Sequence, residues 1–463
     1  MLKGGIHFNI SERKVLLRLF DVISTLVVLC FVSNTFDFDY FTITENRWRW
    51  VFVLVLYLTV FATVFELYDL QKSSKLDKIA TGIVFTVSTT VLFYFLTPFF
   101  TPELPNNRLQ ILYFYFSILF ALLAWRFIYL SLIVSPRFNK RILLVGEMTD
   151  LNNVIRVFQQ SDPHYKIIGY INCEKQHVHI DTIEDISEFH IDNMSEVIKK
   201  QAVSEIVVIS NKPDTITPEV YHDLMQLLNI GVPVREYSQV YEDITHRVPL
   251  QYVGMDFYKY FPFNRNNKNR LYRFLQRVFD ILISVFGILF SLVLLPFIII
   301  GNLLANRGKL FYTQKRVGLN GKVFKIIKFR TMIKNAEASG AVWATKNDTR
   351  ITRFGKFLRY SRIDEIPQFI NILKGEMSLI GPRPERPVFV KELSDALPFY
   401  ETRHIIKPGV TGWAQVKMRY GSSLDDSLEK LQYDLYYIKH RSFLLDVNIM
   451  IKTLTTVIFF RGQ

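Results

Sequence analysis

Four long apolar stretches crowd the first 134 positions of the chain, at 15–33, 48–67, 79–99 and 109–134. A hydrocarbon core about 30 Å thick needs about 20 apolar residues per helix, so the pattern predicts four membrane spans before any soluble domain begins. Composition agrees: 49% of the 463 residues are hydrophobic and 40 are Phe, rich for a soluble chain. The first stretch carries Arg18 and Asp21 and has no small-residue cleavage site after it, so it reads as an anchor and not a removed signal peptide.

Loop charge sets the orientation. Arg13 and Lys14 precede the first span, Lys72, Lys75 and Lys78 lie between the second and third, and Arg137, Lys140 and Arg141 follow the fourth. The alternate loops hold Asp37, Asp39 and Glu45, and the text "TPELPNN". The basic loops are the inner ones, which places everything after residue 135 in the cytoplasm. Cys30 in a span and Cys173 alone in the soluble part form no disulfide framework, in keeping with a reducing compartment. The net charge of +14 suits anionic headgroups and phosphorylated ligands. No basic helix-turn-helix, zinc-finger or RNA-recognition pattern speaks for nucleic acid.

Past the spans, the apolar runs "RILLVG", "KIIGYI", "EIVVIS" and "VPVREY" alternate with polar helical stretches. Such alternation predicts a small parallel α/β unit. The first run ends at Gly146 in "VGEMTD", one glycine where a dinucleotide fingerprint has three. A structural or regulatory Rossmann-like module is therefore the better reading, with a bound nucleotide as the alternative. His177, His179 and His190 lack metal-ligand spacing and read as surface residues, and "FNRNNKNR" reads as a polar linker.

Segment 278–300 is apolar enough to span, yet Arg270, Arg273 and Arg277 precede it and Arg307, Lys309, Lys315 and Arg316 follow it. Both flanks therefore read as cytoplasmic. Pro296 removes a backbone hydrogen bond and kinks a helix. The expectation is a re-entrant helix that bends there and leaves on the face it entered; a fifth ordinary span is the alternative. In "RITRFGKFLRY", Ile351, Phe354 and Leu358 form a stripe beside Arg350, Arg353 and Lys356, a pattern expected to face lipid at the interface. "FLLDVNIMIKTLTTVIFF" is broken by Asp446, Asn448 and Lys452 and is expected to lie in the interface or pack on the core.

The chemistry gathers around "SRIDEIPQFI". Asp364 and Glu365 stand at the start of a short helix, "PQFINILKG", with Pro367 in its first turn and Gly375 just past its end. An isolated pair there would merely complement the helix dipole, about 0.3–1 kcal/mol each. However, Lys325, Lys328, Arg330, Arg353, Arg359, Arg383 and Arg386 supply more cation than two carboxylates need, an excess that suits phosphates. Beside a phosphoryl group a carboxylate can hold Mg²⁺ or attack phosphorus.

Three blocks carry a family resemblance: "FYTQKRVGLNGKVFKIIKFRTM", "TRFGKFLRYSRIDEIPQFINILKGEMSLIGPRPE" and "IKPGVTGWAQV". Residues 270–463 resemble the catalytic domain of the bacterial sugar transferases, the monotopic phosphoglycosyl transferases, and the four spans with the α/β module resemble the family's large members. The resemblance implies a re-entrant helix bent at a proline, which Pro296 matches. It implies that Asp364 attacks the β-phosphate of a UDP-sugar and releases UMP, while Glu365 binds Mg²⁺. Undecaprenyl phosphate then displaces the aspartate, giving undecaprenyl-diphospho-sugar in the first membrane step of exopolysaccharide, capsule or O-antigen assembly. Arg359 and Arg383 match phosphate contacts, and Lys328 is counted with them as a phosphate-binding candidate; Lys315, Arg316 and Arg330 are weaker candidates, some of them suited to lipid headgroups. Pro408, Gly409 and Trp413 fall in a recurrent block whose role reads as backbone geometry. Arg362 departs from the family's S-L-D-E-L-P by replacing leucine, an added cation for a phosphate or a headgroup.

The expected architecture is membrane α plus α/β: a four-helix transmembrane domain (1–136), a Rossmann-like cytosolic module (137–262) and an α-rich monotopic catalytic domain (263–463). Its expected place is the bacterial inner membrane, with the site on the cytoplasmic face. Its expected partners are a UDP-sugar, with glucose the family default, undecaprenyl phosphate and membrane lipids, without nucleic acid. Homo-oligomerisation is left open. The competing readings are a membrane-anchored nucleotide-sugar dehydratase, whose Tyr-x-x-x-Lys spacing occurs here only at Tyr68 to Lys72, and a non-catalytic assembly scaffold.

Overall fold

The apolar runs wind into helices because each lacks an internal breaker: α1 (Ile10–Thr35), α2 (Trp48–Val64), α3 (Leu76–Leu96) and α4 (Leu109–Leu132). The computed structural model describes residues 10–36, 38, 40–41, 48–68, 76–105, 107–132, 140–146, 151–161, 165–173, 186–209, 217–250, 269–333, 336, 348–418 and 423–458. Leu17, Leu54, Ile83, Phe114, Ile118 and Leu122 pack into one core. Phe31, Phe52, Phe120 and Phe127 stay exposed, as lipid-facing side chains do. α1, α3 and α4 are long and apolar enough to cross a membrane, whereas α2 has 17 residues. At 1.5 Å per residue α2 is about 25 Å long, and the chain turns through Glu66 at φ 59° soon after it ends. The expected second span is thus a shorter apolar helix. Asp21 is tolerated in the first span because it meets the Arg126 guanidinium at 2.8 Å, with both side chains buried.

The α/β unit comprises β1 (Lys140–Gly146), α5 (Leu151–Ser161), β2 (Tyr165–Asn172), β3 (Ser187–Glu188), α6 (Met194–Lys200), β4 (Glu205–Ile209), α7 (Pro218–Asn229), β5 (Val234–Glu236) and α8 (Tyr237–Thr245). All pairings are parallel, in the order β3-β2-β1-β4-β5, which matches the first five strands of the Rossmann order. Gly146 sits at φ 135°, and a Cβ there would collide with the Ile209 carbonyl. Strand packing alone therefore demands the glycine. His190 is exposed. Asp37, Asp39, Glu45, Lys72, Lys75, Arg137, His177, His179, the loop 147–150 and the linker residues 263–268 lie outside the described residues, as does the Lys78 side chain.

The chain divides into two compact units, Met1–Thr245 and His246–Gln463. The second opens with 246–250, where Val248 and Leu250 join a core with Trp413, Leu431 and Leu435. Then come α9 (Arg270–Gly301), β6 (Phe311–Val317), β7 (Val323–Phe329), α10 (Arg353–Tyr360), α11 (Gln368–Lys374), β8 (Ser378–Ile380), α12 (Pro387–Ala396), β9 (Gly409–Thr411), α13 (Trp413–Lys417), α14 (Leu424–His440) and α15 (Phe443–Ile458). β6 and β7 form an antiparallel hairpin; β8 and β9 form a short parallel pair.

α9 is long and apolar enough to cross a membrane, and it runs on through Pro296 to Gly301. Both of its ends are tied to the same unit. Near the start, Gln276 donates to Ser378 Oγ at 3.0 Å, and Arg277 donates to the carbonyls of Ile372 and Leu373 at 2.6 and 2.8 Å. Past the end, Asn302 donates to the Gly308 carbonyl and Asn306 to that of Arg330, each at 2.8 Å. Between these ties, Phe369 packs on Gly287, where a side chain would strike its ring. The opposite faces expose Phe286, Val293, Phe297 and Leu304.

Two interface expectations resolve differently. In α10, Leu358 is buried with Ile298 and Phe329, Phe354 packs beside them against Gly301, and Ile351 bridges to Met332. The stripe expected to face lipid is therefore core, and the exposed apolar side chains are Phe357 and Tyr360. Periodicity gives one apolar face but cannot say whether protein or lipid covers it. α15 packs on the core through Ile449, and its Asp446 accepts from Tyr272 and Tyr437 at 2.5 and 2.7 Å.

Candidate active site

α10 starts cleanly because Thr352 caps it, accepting from Gly355 N at 2.9 Å. It ends at Ser361, and Arg362 adopts the left-handed conformation at φ 58°. That geometry costs a non-glycine residue about 1–2 kcal/mol, and it turns the chain into a single 3₁₀ turn, Ile363–Glu365. α11 follows with Pro367 at its start and Gly375, at φ 82°, at its end, as the sequence predicts. Neither carboxylate caps α11. The pair does not serve as a cap: Glu365 bonds instead to Lys328 of the hairpin, and Asp364 bonds to no group among the described residues.

Strand parity decides which cations they meet. In β7, Phe324, Ile326 and Lys328 share a face, and their partners in β6 are Arg316, Gln314 and Tyr312. Cross-strand partners point the same way, so this face presents Lys328 to the carboxylates and Arg316 to the recess beside them, while Lys315 and Lys325 stand exposed on the other. Lys328 Nζ donates to Glu365 Oε1 at 2.7 Å, Arg383 to the same oxygen at 3.2 Å, and Arg362 to Oε2 at 3.3 Å. Arg316, Lys328, Glu365, Gln368, Arg383 and Pro384 line one recess. Arg359 donates from Nε to Thr331 Oγ1 at 3.0 Å and acts on Asp364 through its charge. Arg330 makes no hydrogen bond or ion pair to the two carboxylates among the described residues; its guanidinium lies against Gly308. Arg386 stacks over Phe389 at 5.8 Å.

The two acids are each 7% exposed but differ in state. Burial pushes Glu365 up, yet Lys328, Arg383 and Arg362 hold its carboxyl well below the usual range. Asp364 has no hydrogen-bond partner among the described residues. Burial and the Glu365 charge push it up to about 6, against the pull of Lys328, Arg359 and Arg383. One carboxylate is thus locked in its ionised form, and the other is ionised at neutral pH with its oxygens uncommitted.

Supports that sequence reading passed over surround the pair. Arg316 donates to the Pro384 carbonyl at 2.9 Å and to Glu385 Oε2 at 3.3 Å, and Lys430 donates to Glu385 Oε1. Burial pushes Glu385 up, but Lys430 and Arg316 prevail and hold it at about 2. Arg403 donates to the Arg383 carbonyl at 2.9 Å and to Asp434 at 2.7 Å, which holds the loop that presents Arg383. Gly409 lets that loop approach, since a Cβ there would collide with the Gly381 backbone. The indole of Trp413 donates to the His246 carbonyl at 3.2 Å. Glu385 lies within "GPRPERP", so its motif was visible, whereas Lys430, Arg403 and Asp434 come from elements whose approach no local pattern announces.

Fold and site together describe a membrane protein with a buried, unequal carboxylate pair in a cationic recess. The family described as bacterial sugar transferase matches residues 271–460. A UDP-N-acetylgalactosamine-undecaprenyl-phosphate N-acetylgalactosaminephosphotransferase of Aeromonas hydrophila is 39% identical over 255 residues, 55% of this chain and 59% of that one. A UDP-glucose:undecaprenyl-phosphate glucose-1-phosphate transferase of Xanthomonas campestris pv. campestris is 40% identical over 182 residues, 39% of this chain and 38% of that one. An uncharacterized sugar transferase of Bacillus subtilis, EpsL, is 36% identical over 192 residues, 41% of this chain and 89% of that one. The chain belongs to the bacterial sugar transferase family. It spans 59% and 38% of the first two of these relatives, about half their length.

Proposed function

We propose that the protein transfers a sugar 1-phosphate from a UDP-sugar to undecaprenyl phosphate and releases UMP, with Asp364 as the nucleophile. The observation that carries this reading is the inequality of the pair: Asp364 is buried, ionised above about pH 6 and without a hydrogen-bond partner among the described residues, beside a Glu365 held by three cations. A carboxylate whose oxygens are uncommitted can bond to phosphorus. Its oxygen attacks the β-phosphorus, the bond to the UMP oxygen breaks, and a sugar-phosphoryl aspartate remains. A phosphate oxygen of the lipid then attacks the same phosphorus and restores the carboxylate. Lys328, Arg383 and Arg359 stabilise charge that builds on the phosphoryl oxygens and on departing UMP. The names of the relatives support the lipid and nucleotide-sugar partners and include both N-acetylgalactosamine and glucose.

Among the described residues no three His, Cys, Asp or Glu side chains cluster around a metal position. The donors present still fit Mg²⁺, which uses one or two carboxylates together with substrate phosphates. Glu365 would hold it, its oxygen more easily freed being Oε2, where Arg362 stands at 3.3 Å. When bound it would neutralise charge on the diphosphate.

The site is read as cytoplasmic, in the inner membrane, with α9 re-entrant. Ties from both ends of α9 to one unit support this, since a helix that crossed would carry one end away from it. The dehydratase reading is not favoured, because Tyr68 is buried in the helical core.

The test uses the full-length protein in lipid with Mg²⁺, undecaprenyl phosphate and a panel that includes UDP-N-acetylgalactosamine and UDP-glucose. UMP release together with a sugar-phosphate adduct on the Asp364 peptide is the expected result. No release from any UDP-sugar would refute the reaction, and an adduct on another residue would refute the nucleophile.

A further inference from the structure

β7 is an edge strand, paired with β6 on one side only. An edge leaves backbone donors and acceptors that must find partners when buried. Here one side chain supplies them. Asn371, in the middle of α11 and 0% exposed, accepts from Ile327 N at 3.1 Å and donates to the Lys325 carbonyl at 2.8 Å. These groups flank Ile326, and in a parallel ladder one residue of a neighbouring strand would bond both. A single carboxamide stands in for that residue. Its other N–H goes to Glu376 at 2.6 Å, which fixes which end is oxygen, since a flipped amide would set its oxygen against the Lys325 carbonyl and the Glu376 carboxylate.

We propose that Asn371 is a positioning residue, acting as the missing third strand of the hairpin to fix Lys328 against Glu365. The carboxylates precede α11 by one turn, and Lys328 follows Ile327 directly on β7. Asn371 is thus the polar tie between the element that carries the acids and the strand that carries their closest cation. Ile326 packs with Ile372 and Met377 in the apolar contact beneath it. That contact keeps the two elements together, while the amide sets their register along β7. Asparagine is a poor helix former, and this pair of hydrogen bonds to a strand is a reason for one in mid-helix.

The inference rests on the reaction proposed above, so its test carries a readout independent of catalysis. In the full-length protein, Asn371→Leu is expected to lower the kcat of UMP release about 10- to 100-fold while the KM for UDP-sugar stays within about threefold. In a Lys328→Met background the same change is expected to cost less than about twofold, the mark of two residues acting through one contact. Equal losses in both backgrounds, or a loss that merely follows the folded fraction, would overturn the role. Amide hydrogen exchange supplies the second readout: Ile327 is expected to be protected in the unaltered protein and to lose protection in Asn371→Leu. Rapid exchange at Ile327 in the unaltered protein refutes the strand substitute even where UMP is released. An unaltered protein that protects Ile327 but releases no UMP sinks the reaction instead. Should leucine prevent folding, Asn371→Asp keeps the volume and the acceptor. It is expected to protect Ile327 yet lose rate, because a carboxylate then faces the Lys325 carbonyl and Glu376; unaltered rate would count against the proposal.

Discussion

Asp21 in the N-terminal bundle and Asp364 in the catalytic unit are both nearly sealed from solvent, at 0% and 7% exposure. Their surroundings differ. Asp21 is bonded directly to a cation, Arg126 at 2.8 Å, with Tyr68 beside it, as a buried pair inside an apolar bundle is. Asp364 sits among three cations that spend their hydrogen bonds elsewhere, on Glu365 and Thr331. A carboxylate bonded directly to its own cation is held as half of a structural pair. A carboxylate attracted by charge but bonded to none keeps its oxygens available.

The largest expected effect tests this contrast directly. Asp364→Asn should lower UMP release by at least about 10³-fold, read against protein of verified fold. Its melting temperature should equal or exceed the original: the folded carboxyl titrates at about 6, above its ordinary 3.8. Ionised Asp364 therefore costs stability at pH 7, and protonation recovers it as the pH falls through about 6. Asp21→Asn should do the reverse. It leaves Arg126 buried without its partner, at a cost of about 3 kcal/mol, while UMP release per folded molecule stays within about twofold. Loss of catalysis in that variant at full fold would break the comparison. Asp434→Asn belongs between the two. Breaking its buried pair with Arg403 should cost about 3 kcal/mol in a denaturant melt, and it should slow the reaction as well, because Arg403 also holds the Arg383 carbonyl.

A smaller effect lies in the pH profile. The first half-reaction needs ionised Asp364, so its rate should rise with pH up to about 6 and then level. Glu365→Gln removes a negative neighbour that raises Asp364, so the acid limb should move to lower pH. Lys328→Met removes the cation that lowers it most and should move the limb higher. A limb that stays fixed in both variants belongs to another group. The smallest effect is the most diagnostic of strand parity: Lys325→Ala, on the far face of β7, should leave the rate within about twofold, where Lys328→Met should not.

Much of this was legible before any coordinates. Apolar length marked the N-terminal helices, alternation marked the parallel sheet, and Pro367 with Gly375 bracketed α11. These are properties of one helix or one strand, set by backbone sterics and by solvent within a few residues. Parity could have separated Lys328 from Lys325, since alternation is local too. The stripe Ile351, Phe354 and Leu358 shows where local pattern stops, because protein and lipid both reward an apolar face and only the position of Ile298 and Phe329 chose protein.

Element types, their breaks and the place of the two acids follow from the local run of residues. What each acid is depends on the packing of distant elements around it. Glu365 and Asp364 are neighbours with the same local context, yet Lys328 and Arg383, 37 and 18 residues away in the chain, bond to one and merely attract the other. Electrostatic state depends on distance in space and on exclusion of water. Asn371 likewise gains its meaning only where β7 leaves an edge for it to complete.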